Sequence, residues 1–291
     1  LLAIESIFVV VEPDAGGQAV REAFKTSRLC ERVKLIYMSD DTKDPNDLHR
    51  KGPESFAAAF NRLLAAAVPL RSELAQETSA TTQSAWELCE DLAHEPRIMD
   101  RFAESMERRG VAGEERLTKI LYLALTSRHL SRPVSVAVKG PSSGGKSYLV
   151  ERTLDYFPSS AYFALSAMSD RALAYMNEPL AHRHLVVFEA AGMAGEVASY
   201  LIRSLLSEGC IRYSTVEKTA EGLKERRIEQ QGPTGLIVTT TRASLHPENE
   251  TRLLSLTVTD TPEQTRSVLR AIADESHGED KDSELQEWLA L

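Results

Sequence analysis

At 291 residues the chain can form one large domain or two ordinary ones and is long enough to bury a real core. Its 42% hydrophobic and 26% charged residues exclude a disordered polymer and a membrane-embedded bundle. A net charge of −9 argues against a protein that coats nucleic acid over its whole surface, while leaving room for a local basic patch in a groove or pore.

The longest apolar runs, such as "HLVVFEAAGMAG", carry a charge or are too short for a bilayer, so no membrane association is expected. Cys30, Cys89 and Cys210 are far apart and show no CxxC or Cys/His spacing. That pattern points away from a disulfide framework or zinc site and towards a cytoplasmic setting. The chain opens "LLAIES" without a methionine, so an upstream targeting segment stays open.

In chain order, residues 1–70 read as a parallel α/β unit. The strand "SIFVVVEPD" leads to the helix "AGGQAVREAFKTSRLC", then come the strand "RVKLIYMS", the acidic loop "DDTKDPNDLH" and the helix "PESFAAAFNRLLAAAV". Residues 71–132 read as a polar linker, "RSELAQETSATTQSA", and a helical connector. In the connector Leu117, Ile120, Leu121, Leu123 and Leu125 make a broad apolar face. Residues 133–276 alternate strands ("PVSVAVKG", "SAYFALSA", "HRHLVVFEAAG", "TGLIVTTT", "RLLSLTVTD") with helices, the last capped by Thr261. A hairpin, "CIRYSTVEK" and "KERRIEQQ" flanking "TAEG", is set among them. Residues 277–291 read as a C-terminal tail, with "SHGEDKDSE" as a solvated linker.

The stretch "KGPSSGGKSYLVE" carries G-x-x-x-x-G-K-[ST] at Gly140, Gly145, Lys146 and Ser147. A strand precedes it and a helix follows. A loop that wraps a phosphate chain with its own N–H groups needs glycine wherever the backbone turns or approaches closely, which fits Gly140, Gly144 and Gly145, with Ser143 beside them. The helix beginning at Lys146 aims its positive end at the same anion. Lys146 is expected on the β/γ-phosphates and the Ser147 hydroxyl on Mg²⁺. A flexible Gly/Ser surface turn is the alternative.

ATP chemistry also needs an acid at the end of a neighbouring strand. "LVVFEAAG" supplies Glu189, in one of two registers. If Glu189 serves the metal, Ala190 stands where a catalytic glutamate is expected; if it serves the water, the metal acid is missing. The strand "LIVTTT" ends in hydroxyls that can sense a γ-phosphate: Thr240, with Thr239 and Thr241 as competitors. Arg252, just before the last strand, is the candidate for reaching a neighbouring subunit's nucleotide, with Arg242 as competitor.

From Pro133 to about Glu275 the chain resembles an AAA+ type P-loop ATPase of the additional-strand class, with a divergent acidic motif at Glu189. The resemblance implies a central parallel sheet, bound ATP and Mg²⁺, and a homo-oligomeric ring, hexamer-like, in which one subunit completes the next one's site. "FVVVEPDAGGQAVREAF" resembles the second acidic motif of TOPRIM domains, with Glu12 and Asp14 in the acidic positions and Asp44 and Asp47 in the following loop. Acids two residues apart at a strand end can share a Mg²⁺. TOPRIM domains also carry an earlier strand ending in glutamate, and Glu5 lies too close to the next strand to fill that role. A piece of a longer protein and a structural remnant both stay open. A partial TOPRIM-like unit, a helical connector and an AAA+-like domain together resemble the primase–helicases of phages and mobile elements.

That resemblance implies single-stranded DNA as partner, met by a pore hairpin whose Lys218, Lys224, Arg226 and Arg227 face phosphates and whose Tyr213 stacks on a base. The functional expectation is an ATP-dependent DNA helicase or translocase. Two others are an ATP-binding switch or scaffold with weak hydrolysis, and a TOPRIM nuclease.

Overall fold

A computed structural model describes residues 4–166, 169–189, 195–219, 222–241, 250–273 and 280–291. The chain divides into two units, Leu1–Glu87 and Leu88–Leu291.

In the first unit β1 (Ile7–Val11) and β2 (Val33–Tyr37) pair in parallel, with Ile7 opposite Val33 and Val11 opposite Tyr37. The crossover helix α1 (Ala15–Lys25) joins them, as the alternating pattern predicts. Helices α2 (Pro45–Lys51) and α3 (Phe56–Ala65) follow. A two-residue strand β3 (Val68–Pro69) then adds antiparallel to β2. Val11, Val33, Leu35 and Leu70 form the buried core, with Phe24 and Leu29 packed on it.

The stretch expected as a polar linker is helical instead: α4 runs from Leu70 to Ala93. The cause is tertiary. Arg21 of α1 is buried and pairs with Glu73 and Glu77, which lie four residues apart on one face of α4. The Tyr37 hydroxyl donates to Glu73 Oε1 at 2.6 Å. The hydroxyls of Thr78 and Thr81 donate to carbonyls one turn back, at 2.8 Å each, so these polar residues fit within the helix.

The second unit holds helices α5 (Ile98–Arg108) and α6 (Glu115–Thr126) and a five-stranded, all-parallel sheet. Its strands are β4 (Val136–Lys139), β5 (Tyr162–Leu165), β6 (Arg183–Val187), β9 (Thr234–Thr240) and β10 (Leu254–Thr257), in the spatial order β10-β4-β9-β6-β5. Every residue of β4 and β9 is buried, as expected of central strands in a parallel sheet covered on both faces. Helices α7 (Lys146–Leu154), α8 (Ala172–Tyr175), α9 (Glu196–Glu208) and α10 (Pro262–Ala273) connect or follow the strands. The hairpin strands β7 (Cys210–Thr219) and β8 (Gly222–Gln231) form a separate two-stranded sheet.

Two details correct the sequence reading. Leu121 and Leu125 are buried on α6, but Leu123, two residues from Leu121 and so about 200° around the helix, is 55% exposed. The C-terminal tail, expected to open with a solvated linker, contains helix α11 (Asp280–Ala290), which docks on the core. Its Trp288 sits edge-on to Phe102 and Tyr122, both at 5.5 Å, and to Tyr156 at 5.8 Å. Arg108–Glu284 and Arg101–Glu287 ion pairs flank it at 2.5 and 3.1 Å. Leu285 and Trp288, three residues apart, share the docking face. Among the described residues no helix is long and apolar enough to cross a membrane.

Candidate functional site

The buried strand β4 runs directly into the Gly140–Gly145 loop, and α7 begins at Lys146. Gly140 has φ 153°, and a Cβ there would lie 2.3 Å from Val258 Cγ2, so only glycine lets the loop leave the strand at this angle. Its N–H donates to the Thr240 carbonyl at 3.2 Å, anchoring the loop to β9. Ser143 has φ 62°, a left-handed conformation that a residue other than glycine adopts only where its surroundings hold it. Gly145, at φ 79°, is the N-cap of α7 and brings no side-chain oxygen to its first turn. The head of α7 therefore has no side-chain cap from its own N-cap residue.

Lys146 is buried, and its Nζ donates to the Pro141 carbonyl at 2.5 Å. The ammonium therefore rests on the loop's own backbone, while the neighbouring Ser147 is exposed. Lys139, one residue before the loop, is also buried and pairs with Glu250 ahead of β10.

The register brings the C-terminal ends of β4, β9 and β6 together. Lys139 lies opposite Thr240 on one side of β9, and Val187 of β6 lies opposite Val238 on the other. Glu189, two residues past Val187, is exposed and has φ 72°. Its N–H donates to Thr239 Oγ1 at 2.9 Å. A non-glycine residue held in this region stores strain of about 1–3 kcal/mol, a pattern that clusters at functional sites. Of the three threonines, Thr239 is the one tied to the acid. Thr240, the expected sensor, is fully buried and offers its carbonyl to Gly140, and Thr241 is exposed. Ala190 and Arg242 lie outside the described residues. Arg252 is held within its own chain, its Nε donating to Ser207 Oγ of α9 at 2.6 Å.

A cavity of about 510 Å³ opens beside the loop. Glu114, the N-cap residue of α6, forms part of its wall and is buried. Its Oε1 accepts from the Thr259 N–H at 2.6 Å, and desolvation raises its pKa above the usual carboxylate range. Across the same cavity Gln264 Nε2 donates to the Ala112 carbonyl at 2.5 Å. Sequence reasoning missed these residues. Glu114 and Gln264 lie on segments far apart in the chain, and no local pattern announces their meeting.

A scan against protein-family models finds no match, and neither does a search of curated proteins.

The expected nucleic-acid contacts are divided by the hairpin itself. Directly paired residues share a face, so Lys218 (opposite Leu223) and Arg227 (opposite Ser214) lie on one face. Lys224 (opposite Glu217) and Arg226 (opposite Thr215) lie on the other. Arg226 pairs with Glu217 at 3.0 Å and Arg227 with Glu225 at 3.1 Å, which mutes both charges. Tyr213 meets Tyr175 edge-on at 6.4 Å.

In the first unit Asp14 caps α1, accepting from the Gly17 N–H at 2.9 Å, and Asp44 caps α2, accepting from the Asp47 N–H at 2.7 Å. Glu12 is exposed, and Asp47 pairs with Lys51 at 3.5 Å. Among the described residues no group of three or more His, Cys, Asp or Glu side chains is placed to hold a metal ion. Among the described residues, Glu12 and Asp14 are therefore joined by no third such ligand.

Proposed function

We propose that the chain is an ATP-driven nucleic-acid motor. In this reading the second unit is an AAA+-like P-loop ATPase that binds ATP with Mg²⁺ at Gly140–Ser147, hydrolyses it within a ring of like subunits, and moves along single-stranded DNA. The observation that carries it is the junction of β4 and α7: a glycine-bounded loop, a buried lysine behind it, and a left-handed Glu189 tied to Thr239 of the neighbouring β9. The insertion of β9 between the loop strand and the acid strand supports the additional-strand class.

In the mechanism, loop N–H groups and the head of α7 take phosphate oxygens. Lys146 exchanges the Pro141 carbonyl for the β/γ-phosphates. Ser147 and Glu189 would hold Mg²⁺, which would supply positive charge against the charge that develops on the phosphates. Thr239 fixes the backbone of Glu189, and Thr240 fixes Gly140. Arg252 must leave Ser207 to serve a neighbouring subunit. Lys218, Lys224, Arg226 and Arg227 meet DNA phosphates from the two faces of the hairpin.

The first unit reads as a TOPRIM-like remnant of a primase–helicase, and the capping roles of Asp14 and Asp44 support a structural part for its acids rather than nuclease chemistry. An ATP-binding switch with weak hydrolysis is the second reading, favoured by Ala190 beside a single acid.

Steady-state ATP hydrolysis with and without single-stranded DNA tests the motor. Turnover that rises with DNA is expected; ATP binding without turnover in either condition would transfer the assignment to the switch.

A further inference from the structure

Helix α11 is seated by few residues, and the surface beneath it is braced without it. Trp288 is 2% exposed and Leu285 packs on the same cluster, while Asp282, Ser283 and Gln286 face solvent. At 11 residues α11 is too short to be a stable helix alone, so its order depends on docking. The Trp288 indole N–H is buried and meets no acceptor among the described residues, which subtracts from that docking. The Arg108–Glu284 and Arg101–Glu287 pairs beside it are partly exposed and open to screening by salt.

The floor holds itself together. Phe102 of α5 packs tilted on Tyr122 of α6 at 4.5 Å and edge-on to Tyr156 at 4.9 Å. Tyr122 packs on Phe157 at 5.0 Å, and the hydroxyls of Ser105 and Tyr156 share a hydrogen bond at 2.6 Å. Arg101 and Arg108, about two turns apart on α5, give this floor a basic rim. Helix α11 answers the rim with Asp280, Asp282, Glu284 and Glu287 against a single Lys281.

We propose that the α5–α6 face is a docking groove for an acidic amphipathic helix, and that α11 is its releasable occupant. As a strap, α11 leaves as a unit while the sheet stays folded, and the groove then takes a partner helix of the same chemistry. That chemistry is two apolar residues three positions apart, an aromatic one for the Phe102–Tyr122–Tyr156 floor, with carboxylates beside them for Arg101 and Arg108. A basic helix would set like charges against the rim.

Hydrogen exchange on the full chain, and titration with a fluorescein-labelled synthetic peptide of residues 280–291, test this. Exchange in α11 should be faster than in β4 and β9 by roughly a hundredfold or more. The peptide should bind the Glu284→Lys/Glu287→Lys chain roughly tenfold more tightly than the wild-type chain, because a weakened strap competes less. The Trp288→Ala chain, whose strap is weakened by lost burial instead of charge, should show the same gain. Peptide carrying alanine in place of the tryptophan should lose roughly tenfold or more in affinity. Exchange of α11 in step with β4 and β9 would make it part of the core and overturn the proposal. Peptide affinity equal in wild-type and weakened-strap chains, or no binding to any of them, would overturn it as well. Neither readout involves nucleotide, so the reading of the Gly140–Ser147 loop stands or falls separately.

Discussion

Two junctions in this chain share one plan, strand into loop into helix, and resolve it in opposite ways. At Val11–Ala15 the loop's Asp14 turns back to accept from the Gly17 N–H, and the helix head is satisfied from within. At Lys139–Lys146 the N-cap is a glycine with no side chain to offer, the loop holds left-handed Ser143 and Gly145, and the lysine rests on a backbone carbonyl. The first junction is complete as it stands. The second brings no side-chain cap of its own, and it follows a central strand whose residues are all buried. A helix head therefore says little about ligands until one asks whether its own sequence already caps it.

The sheet beneath the second junction carries the largest expected effect. His184 in β6 is fully buried, and desolvation lowers its pKa from 6.5 to about 4. Between those values the unfolded state binds the proton and the folded state does not, so stability falls as pH drops from about 6.5 to about 4. The loss amounts to about 3 kcal/mol at the acid end. Urea unfolding of the second unit should display this slope, and His184→Gln should flatten it. A ring that titrates near 6.5 by NMR would contradict the burial argument. Next, Gly140→Ala should destabilise the second unit by about 1–3 kcal/mol through its backbone strain and the collision with Val258. Thermal unfolding measures it, and an unchanged midpoint would mean that Val258 gives way to the added methyl.

The smallest effects belong to the first junction and sharpen the contrast most. Asp14→Ala should cost about 1 kcal/mol as a lost cap, while Asp14→Asn should be nearly neutral because asparagine caps equally well. If Asp14→Asn abolished a Mg²⁺-dependent activity, Asp14 would be a ligand and the comparison would collapse.

Much of the fold was legible because its signals are local. The loop motif, the alternating apolar strands and the Thr261 cap can each be read within a dozen residues, and each element lies where its pattern places it. The misses are tertiary. Helix α4 hides in a polar stretch because its support is Arg21, on another element. Helix α11 hides because Trp288 needs Phe102, Tyr122 and Tyr156 to give it a place. At the site the Gly140–Ser147 motif was visible, but the pairing of Glu189 with Thr239 rather than Thr240 depends on how β6 and β9 align. The split of the four basic hairpin residues between two faces likewise depends on cross-strand register.

The central claim is that Lys146 and its loop hold the phosphates of a nucleotide, and direct binding tests it without requiring turnover. ATP should be titrated calorimetrically, with Mg²⁺, into the full chain and into Lys146→Ala, with folding of both checked by circular dichroism. A loss of affinity of at least a hundredfold in the folded variant, equivalent to about 2.7 kcal/mol, is the predicted result. Equal affinity in the two proteins would mean that the loop does not hold the phosphates, and the account of this site would be wrong.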